Sequence, residues 1–329
     1  MNLMRKICAV LLAAAMIVSM AIPCLAEDDD WWNILLLGGD SRSLEEYGRT
    51  DAMIILSINT KTSEIKMTSI MRDTWVEMPG RASKNKINAA NVFGGPELAM
   101  ATVNQCFGTE IEDYVLVNMA GLIDIIDALG GVELEITESE MGYINEYATS
   151  YMYDISDSDE PFYDGATSLD EYGLVHLNGL LAMSFARNRY TDSDYGRVMR
   201  QQKILLALAE NLKSMDFTEM MKLAEILPEN VQMNLDPSEI ISLIPVALSA
   251  DFDAIRQYRI PADGTYESGM YDGTWAIRPD FEANQKLLHE FIYTDAEGID
   301  EDDDLPEDGE PVPEETDAEE LTEEELIAD

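Results

Sequence analysis

The chain has 329 residues, 46% of them apolar, and a formal net charge of −44 at pH 7. That apolar share supports a folded core of one large or two ordinary domains and excludes a chain disordered throughout. The charge argues against nucleic-acid binding, which needs a basic face, and against electrostatic adhesion to an anionic membrane.

The first feature along the chain is a targeting segment over 1–26. Arg5 and Lys6 precede an apolar run from Ile7 to Pro23, and Cys24-Leu25-Ala26 places small residues for cleavage before Glu27. The run is long for a signal peptide and just long enough to span a bilayer, so cleaved signal peptide and uncleaved signal anchor both fit. Pro23 disfavours lipidation at Cys24. Either reading places the rest of the chain at the extracytoplasmic face of the cell membrane or in the envelope, anchored or secreted.

Asn33–Leu37 reads as a short buried strand running into Gly38-Gly39. Ala52–Ile58 and Ile65–Ile70 read as two strands of a hairpin joined by Asn59-Thr60-Lys61-Thr62. Gly95-Pro96 opens a helix to about Phe107, with Gly108 past its end. A strand over Tyr114–Val117, a helix over Ala120–Leu129 closed by Gly130-Gly131, and a strand over Val132–Ile136 follow. Residues 140–172 are acidic, tyrosine-rich and without clear period, and read as a surface loop or small insertion. Helices are expected over Asn178–Arg187, Val198–Leu212, Phe217–Leu227, Pro237–Leu248 and Asp280–Ile292, with a strand over Gln257–Ile260.

Strands and helices alternate without strict βαβ order, which predicts an α/β sandwich around a mixed sheet. No Pro/Gly-rich linker interrupts 33–293, so 27–293 reads as one domain, with a core over 33–214 and an extension over 215–293. Residues 295–329 hold 19 acidic residues and no Lys or Arg. The segment 294–329 therefore reads as a disordered acidic tail. Cys106 is the lone cysteine of the body and cannot form an internal disulfide, and His176 and His289 stand apart, so no Cys/His metal cluster is visible.

Arginine is the informative residue type. There are only 12, and they gather near predicted element ends. Arg42 and Arg49 follow the first strand, Arg72 follows the third, and Arg187, Arg189, Arg197 and Arg200 lie within fourteen residues. Guanidinium forks suit bidentate contact with phosphate oxygens, and a helix N-terminus at Arg197 adds a favourable field for an anion. Arg197 and Gln201 are four apart and share a helix face. Ordinary ion pairing with the many carboxylates is the competing reading of these arginines. Asp40 and Asp51 would sit together at one sheet edge if the first two strands are neighbours. Two carboxylates with diphosphate oxygens and water are ordinary Mg²⁺ ligands, and aspartates are also common turn formers. No Ser-His-Asp or Cys-His set and no Walker loop appears.

Six segments in order resemble the LytR–CpsA–Psr family of envelope proteins. They are Asn33-Ile34-Leu35-Leu36-Leu37-Gly38-Gly39-Asp40-Ser41-Arg42, Arg49-Thr50-Asp51, Ser69-Ile70-Met71-Arg72-Asp73-Thr74, Lys86-Ile87-Asn88-Ala89-Ala90 with Gly94-Gly95-Pro96-Glu97, Leu177-Asn178-Gly179 through Arg187-Asn188-Arg189, and Asp194-Tyr195-Gly196-Arg197 with Arg200-Gln201-Gln202. Met71 stands where the family usually has proline. The resemblance implies a three-layer α/β/α sandwich with an apolar lipid tunnel. It implies that Asp40 and Asp51 hold Mg²⁺ or Mn²⁺ and that Arg49, Arg72, Arg187, Arg189, Arg197 and Gln201 grip a polyprenyl pyrophosphate. The implied activity is transfer of a polyprenyl-pyrophosphate-linked glycopolymer, of teichoic acid or capsular polysaccharide type, to peptidoglycan. A lipid-phosphate binding module or a pyrophosphatase is the alternative. Asp73 reads either as an orienting or basic group or as a structural partner of an arginine.

Overall fold

The computed structural model describes residues 30–41, 46–155, 163–188, 194–214, 230–236 and 254–294, with isolated positions between 238 and 251; the side chains of 152–155, 194–195 and 212–214 are not described. The leader, the acidic tail, the helix expected over Phe217–Leu227 and most of that over Pro237–Leu248 lie outside these residues. The elements are β1 (Trp31–Gly39), β2 (Thr50–Asn59), β3 (Ile65–Ile70), β4 (Trp75–Val76), β5 (Asn85–Lys86), α1 (Ala90–Phe107), β6 (Asp113–Asn118), α2 (Met119–Ala128), β7 (Val132–Ile136), α3 (Glu138–Ile155), β8 (Gly173–Leu177), α4 (Gly179–Ala186), α5 (Asp194–Ser214), β9 (Val231–Met233), β10 (Arg256–Ile260), β11 (Tyr266–Tyr271), β12 (Thr274–Pro279) and α6 (Phe281–Tyr293).

The central sheet has the order β10-β3-β2-β1-β6-β9. Within it β1–β2, β2–β3 and β6–β9 are antiparallel, and β1–β6 and β3–β10 are parallel, so the sheet is mixed as expected. Period-two alternation sends Leu35, Leu37, Met53, Ile55 and Ile70 to one face. There they meet Ala99, Val103 and Phe107 of α1 and Leu288, Phe291 and Ile292 of α6 in one buried cluster. The β2–β3 turn forms because Asn59 Oδ1 accepts the N–H groups of Lys61 and Thr62 at 3.0 Å each, an Asx turn.

A second buried cluster joins α2, α3, α4 and α5 to the β7–β8 hairpin through Ile123, Ile144, Leu181, Phe185, Ile204 and Val175. Helix α5 reaches the other face of the sheet, where Gln202 Nε2 donates to Ser69 Oγ at 3.0 Å. Helices thus lie on both sides of the sheet, in three α/β/α layers.

The structure corrects the reading of 140–172. Glu138–Ile155 is a helix, because Met141, Ile144 and Ala148 recur at helical spacing and face the second cluster. Tyr143, Tyr147 and Tyr151, each four residues on, stack along its flank at 5.8 and 6.2 Å between ring centroids. Strand β8 and the β11–β12 hairpin were also not expected. Helix α1 holds two pieces, because the backbone leaves helical dihedrals at Gly94 and Gly95, where Gly95 takes φ 70°; only glycine enters that region cheaply. The longer piece starts at Pro96 as expected, and the short one before it was not expected.

Candidate active site

The antiparallel pairing of β1, β2 and β3 brings the end of β1, the start of β2 and the end of β3 to the same end of the sheet. Gly39 pairs with Thr50 across a register shift at Gly38/Gly39. Asp40 and Asp51 therefore neighbour one another, as expected, but at the end of two central strands and not along a sheet edge. The Asp40 N–H donates to Arg49 O at 2.9 Å. Gly48 lies against the Asp40 carboxylate so closely that any Cβ there would clash with it.

Arg72, just past β3, donates from Nη1 to Asp51 Oδ1 at 2.7 Å, and Arg187 Nη2 lies 3.9 Å from Asp51 Oδ2. Arg187 occupies the C-cap of α4, a helix opened by the side chain of Asn178, which accepts from Leu181 N–H at 3.0 Å. Its other contacts are Met119 Sδ, 2.7 Å from Nη1, and the Tyr147 ring, 5.4 Å from the guanidinium carbon. Tyr143 OH donates to Arg187 O at 3.1 Å. The helix that sequence reading missed thus supports one of the predicted arginines from two sides.

Asp40 is half-buried. Its carboxyl is held above the usual carboxylate range, first by burial and then by the charge of Asp51, while Arg187 and the N–H groups of Arg49 and Asp40 pull it back down. Among the described residues, Arg187 is the guanidinium that offsets the charge of Asp40.

Asp73 is buried, 5% exposed. Its Oδ1 lies 2.8 Å from Lys86 Nζ and its Oδ2 3.4 Å from Arg72 Nε. It faces two cations and is better placed to orient Arg72 than to take a proton from a substrate. Arg197 is 4% exposed and Gln201 half-buried in the first turns of α5. The Arg49 side chain is exposed at the rim. Arg189 and Arg42 lie outside the described residues. Arg200, counted with the late arginines, is turned inward: Nη2 donates to Asn188 O at 2.8 Å and Nη1 lies 3.4 Å from Glu140 Oε1. Lys86 was named in the sequence only as part of a matching segment.

Other nucleophiles fall away from this end. Burial pushes the Cys106 thiol up to about 12, so it stays a thiol at neutral pH. His176 and His289 are both exposed, on β8 and α6. Among the described residues no three His, Cys, Asp or Glu side chains form a metal-binding group. A cation here would rest on the two aspartates, with water and phosphate oxygens completing its shell, which is how Mg²⁺ is ordinarily held.

The mixed sheet between helical layers, with aspartates and arginine forks gathered at one end, belongs to a member of the LytR_cpsA_psr family, whose sequence model matches residues 13–290. Its relatives include the polyisoprenyl-teichoic acid--peptidoglycan teichoic acid transferase TagU of Bacillus cereus, 32% identical over 266 residues, covering 78% of this chain and 76% of that protein. Biofilm regulatory protein A of Streptococcus mutans is 31% identical over 260 residues, 74% of this chain and 60% of that protein. Among solved structures, B. subtilis TagV superposes with a TM-score of 0.61 at 29% identity, covering 80% of this chain and 98% of that one. TagT bound to LIIa-WTA shares the fold, with a TM-score of 0.62 at 23% identity over 83% of this chain and 94% of that one.

Proposed function

We propose that this protein is an extracytoplasmic phosphotransferase that moves a glycopolymer from a polyprenyl pyrophosphate carrier to peptidoglycan. The observation that carries this reading is the meeting of Asp40 and Asp51 on adjacent strand ends, with Asp51 in contact with both Arg72 and Arg187. The teichoic acid transferase activity in the TagU relatives' name supports the choice of reaction, and a polymer of teichoic acid or capsular type is the donor.

Phosphoryl transfer demands alignment and charge neutralisation more than covalent help from the protein. Arg72, Arg187 and Arg197, with Arg49, Arg189 and Gln201, are assigned to the diphosphate oxygens. Asp40 and Asp51 would hold Mg²⁺ or Mn²⁺. When bound, the ion supplies Lewis-acid neutralisation of the diphosphate. A sugar hydroxyl of peptidoglycan attacks the phosphorus that carries the glycopolymer. A new P–O bond forms, the bond to the polyprenyl phosphate breaks, and the hydroxyl proton leaves to solvent or a nearby base. The arginines stabilise the charge that gathers on the departing polyprenyl phosphate.

The leader over 1–26 would deliver the chain to the outer membrane–water interface, where the lipid carrier resides; among the described residues no helix is long and apolar enough to cross a membrane. The test uses the full chain purified in detergent, a synthetic polyprenyl-pyrophosphate oligosaccharide and a peptidoglycan fragment. Transfer that needs Mg²⁺, stops with EDTA and is lost in Asp51→Ala supports the proposal. Binding of the lipid without turnover under any acceptor leaves a lipid-phosphate binding protein, and hydrolysis to polyprenyl phosphate and oligosaccharide phosphate without transfer leaves a pyrophosphatase.

A further inference from the structure

We infer that Lys86 is a positioning residue of this site: acting through Asp73, it sets the direction of the Arg72 guanidinium. The inference rests on the phosphotransferase reading for the reaction that Arg72 serves. Five side chains form a line of alternating charge. Lys86 Nζ meets Asp73 Oδ1 at 2.8 Å, Asp73 Oδ2 meets Arg72 Nε at 3.4 Å, Arg72 Nη1 meets Asp51 Oδ1 at 2.7 Å, and Asp51 Oδ2 lies 3.9 Å from Arg187 Nη2. Side-chain exposure is lowest at Lys86 and Asp73, 10% and 7%, and rises from there through 14% and 19% to 27% at Arg187. The inner end is nearly dry and the outer end meets solvent.

This geometry divides the labour within Arg72. Its Nε edge faces Asp73 as an ion pair without a hydrogen bond, and its Nη1 corner hydrogen-bonds outward to Asp51. Remove the Lys86 charge, and Asp73 becomes a buried anion with one fewer cation beside it, a costly state. The nearest remedy is for Arg72 to turn its Nη groups inward to Asp73 and withdraw from Asp51 and the phosphate. Lys86 prevents this by occupying the far oxygen of Asp73.

The main chain here is held independently of that charge. Ile87 N–H donates to Thr74 O at 2.8 Å and Asn88 N–H to Arg72 O at 3.3 Å. Lys86 also pairs with Trp75 in the β4–β5 ladder. Lys86→Met keeps the stem of the side chain and these backbone bonds while deleting the charge.

The experiment measures kcat and KM for the synthetic polyprenyl-pyrophosphate donor on the full chain in detergent, with melting temperatures alongside, for Lys86→Met, Lys86→Arg, Asp73→Asn and the Lys86→Met/Asp73→Asn double variant. Misdirecting one arginine is expected to lower kcat about tenfold or more in Lys86→Met, with KM moving less. Lys86→Arg restores most of it, and the double variant is no slower than the worse single one, because the two residues act through one contact. A lysine with a structural role alone lowers the melting temperature and leaves kcat and KM of the folded protein unchanged; that result overturns the inference. If the wild type transfers to no acceptor, the phosphotransferase reading fails separately. The same variants are then titrated with polyprenyl pyrophosphate. Weakened binding in Lys86→Met that Lys86→Arg restores still supports the role, and wild-type affinity in Lys86→Met, beside weakened affinity in Arg72→Ala, refutes it.

Discussion

The two ends of strand β3 each carry a sheltered cation, and the two are held in opposite ways. At the start of the strand, Lys66 is 1% exposed, and its Nζ donates to the carbonyls of Phe291, Ile292 and Thr294 at 2.8, 2.8 and 2.9 Å. An ammonium has three donors, and here three neutral carbonyls at the C-terminal end of α6 accept them, with the Glu64 carboxylate farther off at 3.8 Å from Nζ. The Trp31 ring, 4.2 Å from Nζ, adds a cation–π contact. Just past the other end, Arg72 is met by two carboxylates, Asp51 and Asp73. Carbonyls at a helix terminus make a fastening. Ionised carboxylates in a linked series make a site whose charges can be re-partnered by a ligand. The identity of the acceptor, more than the depth of burial, separates the structural cation from the functional one.

Exchanging the two roles by mutation gives the largest effects. Arg72→Ala is expected to lower kcat/KM for transfer by about a hundredfold or more, with a modest change in melting temperature. Lys66→Met is expected to do the reverse, costing about 3 kcal/mol in denaturant unfolding by leaving the carbonyls of Phe291, Ile292 and Thr294 without that donor, while the folded fraction keeps its kcat. Equal losses of activity per folded molecule in both variants would erase the distinction.

Next in size is a packing change beneath the site. Ile144, on the inner face of α3, is fully buried. Ile144→Ala should cost about 2–4 kcal/mol in chemical denaturation. Because α3 backs Arg187 through Tyr143 and Tyr147, donor KM should rise as well; an unchanged KM would show that α3 supports the fold without supporting the site. Asn178→Ala removes the N-cap of α4 and should cost about 1 kcal/mol, read as a small drop in melting temperature.

The subtlest test concerns Asp40. Its carboxyl is raised, chiefly by burial and then by Asp51. A raised acid binds its proton more tightly in the folded state, so its contribution to stability is present below the ordinary value of 3.8 and is lost as pH climbs through the raised one. At pH 7 in EDTA, Asp40→Asn should therefore melt slightly above the wild type, although it should not catalyse transfer. Adding Mg²⁺ should raise the wild-type melting temperature and leave that of the variant in place. A variant less stable than wild type in EDTA would contradict the electrostatic account.

Much of this organisation was legible in the sequence, for identifiable reasons. β2 and β3 are strongly apolar and joined by turn residues, so their hairpin pairing followed from local patterns; the pairing of β1 with β2, and with it the approach of Asp40 to Asp51, stood only as a condition that the strand register supplies. The arginines drew attention because they are scarce in so acidic a chain. Helix α3 was missed because its apolar positions, Met141, Ile144 and Ala148, are diluted by acidic and tyrosine residues, although the four-residue tyrosine spacing was a usable signal. Lys66 gave no local sign: its acceptors lie 225 to 228 residues further on. Lys86 was hidden in the same way, since its role depends on how β5 folds back along 73–75. The sequence of an isolated segment records its period well and its distant electrostatic partners poorly.

The Lys66 fastening has a further consequence for long-range electrostatics. Because its ammonium grips the carbonyls of Phe291, Ile292 and Thr294, it places one positive charge at the C-terminal end of α6, against the start of β3. That point is at the start of β3, whereas the phosphate site is past its end. A six-residue strand spans about 20 Å, more than twice the Debye length of about 8 Å at physiological ionic strength. At that distance the Lys66 charge, held by its own acceptors, adds little to the field a docking diphosphate meets, so the fastening and the site can be altered independently.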